Sequence, residues 1–366
     1  MKLSKKLIVI IIPIFTSFNV YAAGVFRIIN RTYGNLTDPS LTSQIDQLFD
    51  TMETEVNSSL SQFDASTFLS GTANATAIAN AGSTHDNANR FKYFYLSVGG
   101  GFAADLSGKS INNLGNDPDS ISSMKGLSGN VNITIGAPGN LINLPKASWF
   151  DPEKFKIYFG FSELSQSFSD VKFSYLSYSL MGQYHFLGHH SIFLGSLKWH
   201  GFDLTTGLRY SKIKMLFSKT FSETLSQQLN APLAGNPTMN MSYSTTASLG
   251  ATTTATSIPT EISSGVGLLY FLDLYAGLAA DINFGSASSI INAPGNVTAT
   301  EASNTLGTMS GDIQFDLGQK KNVQTLSSRY LVGLAYDFRV LSLLFQYNHS
   351  MTNSSEGINI GIGAHF

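Results

Sequence analysis

Ile358-Asn359-Ile360-Gly361-Ile362-Gly363-Ala364-His365-Phe366 ends the chain with an apolar side chain on nearly every second position and an aromatic last residue. A period of two is a strand with one greasy face, because successive side chains on a strand point to opposite sides. Ile358, Ile360, Ile362, Ala364 and Phe366 make the apolar row, and the residues between them are small or polar. Such a strand needs either a second packed layer or lipid over its apolar face. The rest of the chain decides which.

Composition argues for lipid. Charged residues make up 13% of the 366 residues, about half the roughly 25% of soluble domains. No apolar run approaches the ~20 residues of a membrane-spanning helix, so the apolar content is dispersed in alternation, as barrel strands require. Cysteine is absent, which excludes disulfides, zinc-thiolate sites and a cysteine nucleophile. A net charge of −2 gives no basis for nucleic-acid binding. The terminal row ending on Phe366 resembles the closing strand of bacterial outer-membrane β-barrels, where that residue is read by the outer-membrane assembly machinery.

The amino terminus reads as an export signal over residues 1–22. Lys2, Lys5 and Lys6 precede the apolar run Leu7 to Phe15, and Val20-Tyr21-Ala22 offers a cut site. Residues 23–90 read as an N-terminal helical region with a linker. Asp38-Pro39 is a helix-start signal. Leu41, Ile45, Leu48, Phe49, Met52, Val56, Leu60 and Phe63 then recur at three- and four-residue steps as one helical stripe. The other faces carry Asp46, Asp50, Glu53 and Glu55. A membrane-surface helix usually has a basic polar face, so the acidic one favours a plug or lid that docks in or under a barrel over a membrane-surface or partner-binding helix. Gly71 to Ala88 is small and polar and reads as a linker.

Residues 91–366 supply about ten alternating segments (range 8–12), which predict an all-β fold: a closed antiparallel transmembrane β-barrel with the N-terminal α-helix as plug or lid. Placing the last strand's end in the periplasm puts the short turns near Phe271 and Arg339 on that side. Residues 218–257 and 286–327 then become long loops facing the cell exterior. Trp149 and Trp199 fall at the periplasmic level as an aromatic belt, and the helix falls there too.

Three segments carry a further resemblance: Asn89-Arg90-Phe91 before a glycine-rich strand, Gly201-Phe202-Asp203-Leu204-Thr205-Thr206-Gly207-Leu208-Arg209-Tyr210-Ser211, and Ile258-Pro259-Thr260-Glu261-Ile262 running on to Asn283-Phe284-Gly285. In that order they resemble the leptospiral surface-adhesin family of outer-membrane proteins. The resemblance implies a surface-exposed spirochaetal barrel with host extracellular-matrix proteins as partners. It implies no particular binding residues.

Candidate chemistry is thin. His185, His189, His190 and His200 lie near one turn. Neighbouring strand residues point oppositely, so polar turn residues are the better reading than a metal site. His349-Ser350 with Glu356 fails the convergence a nucleophile and base need, for the same reason. No enzyme, metal or cofactor is expected. Lys154, Lys156, Asp203, Arg209, Glu261, Asp281 and Asp337 fall opposite their strands' apolar faces and read as lumen charges. Their mixed signs, with a narrow barrel, suggest an occluded interior. Two functions stay open: a non-enzymatic surface protein that presents long loops to host macromolecules, and a gated passage for small or lipophilic molecules with the helix as gate.

Overall fold

The computed structural model describes residues 25–34, 39–60, 65–81, 93–106, 125–168, 171–187, 190–192, 196–228, 238–269, 271–292, 294–301, 308–316 and 320–366. The expected export signal, Phe63, His189 and the later part of the expected linker lie outside them.

Ten strands close a ring: β2 (Tyr95–Asp105), β3 (Gly126–Pro138), β4 (Phe155–Phe168), β5 (Val171–His185), β7 (Leu197–Gln228), β8 (Thr238–Leu268), β9 (Leu272–Asn292), β13 (Leu326–Phe338), β14 (Leu341–Ser350) and β15 (Ser355–His365). Each pairs antiparallel with the next. The ring shuts where β15 meets β2, with Ser355 opposite Asp105 and His365 opposite Tyr95. Closure removes the free edges that an open sheet would present to solvent or lipid. β6 (His190–Ile192) is a short addition beside β7.

The alternation expected of a membrane barrel is present around the ring. Leu96, Val98, Phe159, Leu180, Leu208, Ile262, Leu278, Val332, Phe345, Ile360 and Ile362 are exposed on the outer face, while Ser97, Thr134, Ser179, Thr205, Ser263, Gln346 and Asn359 between them are buried. In water this continuous apolar belt would far exceed what a soluble monomer exposes; in a bilayer it is the lipid-facing band. Along β7 the band stops near Tyr210. The next exposed positions of that strand are Lys212 and Lys214, which belong at a polar boundary. The molecule therefore spans a membrane through strands.

The two ends differ. At one lie the chain terminus, the turn at Arg339 (φ 64°) and the turn at Leu269 (φ 54°). From the other, the barrel wall continues upward. β7 and β8 pair without interruption from Arg209 opposite Ser257 to Gln228 opposite Thr238. β9 runs to Asn292 and, past Pro294, is prolonged by β10 (Gly295–Glu301), which keeps the same direction along β8. β11 (Thr308–Asp316), β12 (Lys320–Asn322) and β13 then descend beside them. This corrects the expectation of loops at 218–257 and 286–327. They are two long hairpins, and together they raise a four-stranded blade above the ring.

A fifth strand, β1 (Val25–Thr32), pairs with β11 on the blade's edge. The helix α1 (Pro39–Leu60) packs on β1. A second helix, α2 (Ala65–Asn80), fills the barrel at the blade end. The expected plug was therefore assigned to the wrong helix and the wrong end. Of the stripe, Ile45 and Phe49 are buried on the helix that packs on β1, and the first part of the stretch read as a linker belongs to the helix in the lumen. An acidic polar face served as the reason for docking α1 into the barrel. That face has a different partner, described below.

Candidate functional site

Inside the ring, α2 shows why a linker-like sequence makes a plug. Its residues Thr72, Ala73, Asn74, Ala75, Thr76, Ile78, Ala79 and Asn80 are all buried. A helix has a backbone radius of about 2.3 Å, and only a nearly all-round coat of small side chains lets one stand within a ten-stranded wall. Gly71 meets Lys125 and Gly126 of the wall backbone to backbone. A Cβ on Gly71 or Gly126 would overlap the other's main chain. Lower down, Ala75, Ile78 and Ala79 pack on Ala103.

The last turn of a helix leaves carbonyls without partners. Here Asn130 Nδ2 donates to the Ala79 carbonyl at 2.6 Å and the Arg209 guanidinium donates to the Asn80 carbonyl. The Asn80 side chain donates to Ser211 Oγ at 2.5 Å and accepts from Tyr175 at 3.4 Å. A cation at a helix C-terminus also meets the negative end of its dipole. One further tie holds the middle: the Gln324 N–H donates to Asn74 Oδ1 at 3.1 Å.

Below α2 the interior is filled by side chains. Arg329, fully buried, donates to Asp281 Oδ2, Glu261 Oε2 and Asn348 Oδ1, each at 3.0 Å. Toward the chain terminus, His185 pairs with Asp203 at 2.8 Å and His200 with Asp273 at 2.6 Å. Gly201 (φ 84°) sits in the register break between Trp199 and Phe202, which lets His200 and Asp203 both face inward. The histidines thus form two separate aspartate pairs. His190 stands edge-on to Trp199 at 5.9 Å.

Of the expected lumen charges, Lys156, Asp203, Arg209, Glu261 and Asp281 are buried, and Asp337 is half-buried near the rim. Lys154 is a correction. It lies in a single 3-10 turn over Pro152–Lys154, before β4 begins, and is exposed. Trp149 and Trp199 both sit at the short-turn end, Trp149 exposed and Trp199 donating to Ser264 Oγ at 2.9 Å. His349 and Glu356 do meet, at 3.1 Å, but Ser350 is buried on the opposite face.

The blade is the other candidate, and β1 shows how it is finished. One face is apolar and covered: Phe26, Ile28, Val297, Met309 and Ile313 are buried, as are Ile45 and Phe49 of the stripe. A bulge at Asn30 (φ 52°) inserts one residue into β1. Without it Arg31 and Thr32 would swap faces. With it, Thr32 stands on the open face, its hydroxyl 2.8 Å from that of Ser310, and Arg31 turns toward α1. There Arg31 meets Asp46 at 3.2 Å, Asp50 at 2.9 Å and Glu53 at 2.8 Å, and lies over the Phe49 ring at 5.4 Å. Burial pulls the Arg31 guanidinium down, but its hydrogen bonds to Asp50, Glu53 and Asp46 outweigh this and hold it above its ordinary value. The Tyr33 hydroxyl, donating to Asp46, is likewise raised.

The outer edge of β1 is capped by side chains. Asn57 accepts from the Phe26 N–H at 2.7 Å and donates to the Phe26 carbonyl at 2.9 Å, as a neighbouring strand would. Glu53 accepts from the Ile28 N–H at 2.7 Å, and Arg31 Nε donates to the Ile28 carbonyl at 3.0 Å.

The other face of the blade is open and polar. Ser242, Thr298, Ser310 and Thr32 stand opposite one another across four strands. Ser244, Asn296 and Asp312 form the next row, and Asn240, Thr300 and Thr308 the one before. Strands lie ~4.8 Å apart and same-face residues ~6.8 Å apart along a strand, so this is a flat grid of hydroxyl and amide groups. Period-two alternation over Met239 to Thr246 carried its signal in the sequence, but Ser and Thr opposite Met and Tyr give little contrast.

A profile of the Lsa36-like family matches residues 22–366. Among solved structures, the chain is similar to the translocator domain of autotransporter NalP from Neisseria meningitidis, at 10% identity and TM-score 0.27, covering 91% of this chain and 99% of that one. It is also similar to Ail of Yersinia pestis, solved with the heparin analogue sucrose octasulfate, at 10% identity and TM-score 0.20, covering 74% and 97%. A third is a Pseudomonas aeruginosa FadL homologue, at 8% identity and TM-score 0.24, covering 81% and 98%. No curated protein matches.

Proposed function

The chain belongs to the Lsa36-like family, and we propose that it is a non-enzymatic outer-membrane surface protein whose blade adheres to host macromolecules, extracellular-matrix proteins foremost. Lsa36 itself is a leptospiral surface adhesin. The observation that carries the reading is the open face of the blade. A sheet that rises out of the membrane, with its apolar face covered and the other a flat grid of exposed and half-exposed polar groups, is built to be touched. Its edge strand is capped, which directs contact to the face. Hydroxyl and amide groups offer donors and acceptors in fixed positions at low ordering cost, as paratopes rich in Ser and Asn do. On this reading the blade faces the cell exterior and the short turns face the periplasm.

The test is to replace residues 221–245 by a short turn, which leaves the wall pairing from Thr220 opposite Thr246 downward in place. Binding of the purified protein to immobilised matrix proteins should fall at least tenfold, while heat-modifiable electrophoretic mobility is kept. Unchanged binding with the blade removed would end the adhesion reading.

A gated passage is the second reading, favoured by one observation: α2 stands in the lumen. It ranks lower because the interior beneath α2 is filled by the Arg329 cluster and the two histidine–aspartate pairs.

A further inference from the structure

At the blade end of the ring the lipid-facing belt gives way to lysines in one sector. The outward positions of β7 run from Leu208 through Tyr210 to Lys212 and Lys214, and those of β5 from Leu180 through Tyr178, Leu176 and Ser174 to Lys172. The residues between them, Ser211, Ile213, Tyr175 and Ser177, are buried, so the three lysines point away from the lumen, and all three are exposed. Lys212 and Lys214 are two residues apart on one strand, ~6.8 Å. Lys214 pairs with Ser174 and Lys172 with Leu216, which sets Lys214 and Lys172 on a diagonal of about 7–8 Å. The row of Lys214 runs on through Thr252 and Ser288 to Lys320, which is also exposed.

Two features separate this ridge from ordinary surface charge. The first is that it is unbalanced. Among the described residues none of the four lysines forms an ion pair. The acidic side chain of this sector, Glu163, stands opposite Leu176, which in turn stands opposite Lys212. Two strand spacings are about 10 Å, a separation that 0.1 M salt screens. Like charges held side by side on a sheet repel, and an anion between them relieves this. The second feature is depth. Directly below the lysines Tyr178 packs between Phe161, at 5.5 Å, and Tyr210, at 6.5 Å, an aromatic girdle of the kind that marks the level of lipid headgroups. Elsewhere at the blade end, His349 of β14 and Glu356 of β15 satisfy one another at 3.1 Å.

We propose that Lys172, Lys212 and Lys214 form a binding site for the headgroup phosphate of a membrane lipid in the leaflet on the blade side, with its acyl chains lying along Leu176, Leu180 and Leu208. A lipid fits better than a free anion because the lysines continue an apolar wall. Chains held by that wall deliver a phosphate to the depth of the lysines, where burial and charge act together. Lys214 stands between the other two and shares a phosphate with either. A lipid seated there anchors the wall at a fixed height beneath the long β7–β8 hairpin. Only the naming of that leaflet as the outer one rests on the proposed function, which faces the blade outward.

The test titrates the full chain, folded and delipidated in dodecyl maltoside, with dimyristoyl phosphatidic acid, dimyristoyl phosphatidylcholine or inorganic phosphate, and counts bound lipid by native mass spectrometry. Phosphatidic acid should bind at least tenfold more tightly than phosphatidylcholine. The combined variant Lys172→Gln, Lys212→Gln, Lys214→Gln should weaken that binding at least tenfold, since a lysine near a lipid surface contributes about fivefold. The matching arginine variant should keep it. Removing as much charge from the exposed lysines of the short-turn end, with Lys146→Gln, Lys154→Gln and Lys198→Gln, should leave it unchanged. Heat-modifiable mobility checks that each variant is folded. Unchanged binding in the ridge variant overturns the site, and so does equal binding of phosphatidylcholine. Equal losses in the two glutamine variants, or a loss with arginine, overturn it as well. Displacement of phosphatidic acid by millimolar inorganic phosphate overturns the lipid as ligand. No matrix protein enters the assay, so a failure here leaves the adhesion reading standing, and a failure of adhesion leaves the lipid site standing.

Discussion

Arg329 is the side chain on which the barrel interior depends most. A buried guanidinium held by two carboxylates and an amide is not in itself a large net source of stability, but removing one member leaves the others charged and unsolvated. Arg329→Ala should therefore cost about 3–5 kcal/mol, seen as a clear drop in the temperature at which the barrel loses its heat-modifiable band. Adding Glu261→Gln and Asp281→Asn to that variant should restore most of the loss; no recovery would mean that packing, rather than stranded charge, sets the cost. Strand parity alone was enough to turn Glu261 and Asp281 inward. Parity said nothing of Arg329, which stands before the apolar run that marks its strand and looks like a loop residue. Lys154 failed for the complementary reason: the alternation was extended one residue past the start of β4, into a 3-10 turn whose Pro152 breaks the pattern.

Among the elements, the helices show where a one-dimensional reading runs out. The α1 stripe was legible because large apolar residues recur at helical spacing, yet its partner was not. Asp46, Asp50 and Glu53 repeat at four- and three-residue steps, and the strand they grip is eight residues long with two buried apolar side chains. α2 was illegible because small residues suit a linker and a close-packed helix equally. The two elements make separate predictions. Asn57→Ala uncaps the β1 edge, so amide exchange at Phe26 should accelerate about tenfold, in line with a lost hydrogen bond or two of ~1 kcal/mol each. The purified protein should also self-associate through that edge in light scattering. Gly126→Val places side-chain atoms where the backbone of Gly71 lies, so α2 should become accessible to protease while the ring persists. If α2 stays protected in that variant, the glycine contact does not seat it.

For the molecule as a whole, the closing strand, the ten-strand count and the lipid-facing belt were all readable from alternation, since lipid demands apolar side chains of one parity along some nine to eleven residues. The same criterion ended each strand at the membrane boundary, and the blade was lost there. Above the boundary the contrast between faces is Thr against Ala or Ser against Met. A filled lower lumen makes a further prediction at this scale. Replacing residues 65–80 by a flexible linker should leave planar bilayers without stable conductance steps. Sustained openings would restore the gated-passage reading. The blade's continuity with the wall has one more consequence, for immune recognition. Its open face takes residues from four strands, spread from Thr32 to Asp312 and interleaved with others that turn away, so a linear peptide such as 239–246 carries only half of one strip of it. Antibodies that recognise the intact surface should be directed at discontinuous epitopes, and sera raised against such peptides should bind the denatured chain and leave the folded blade largely unbound.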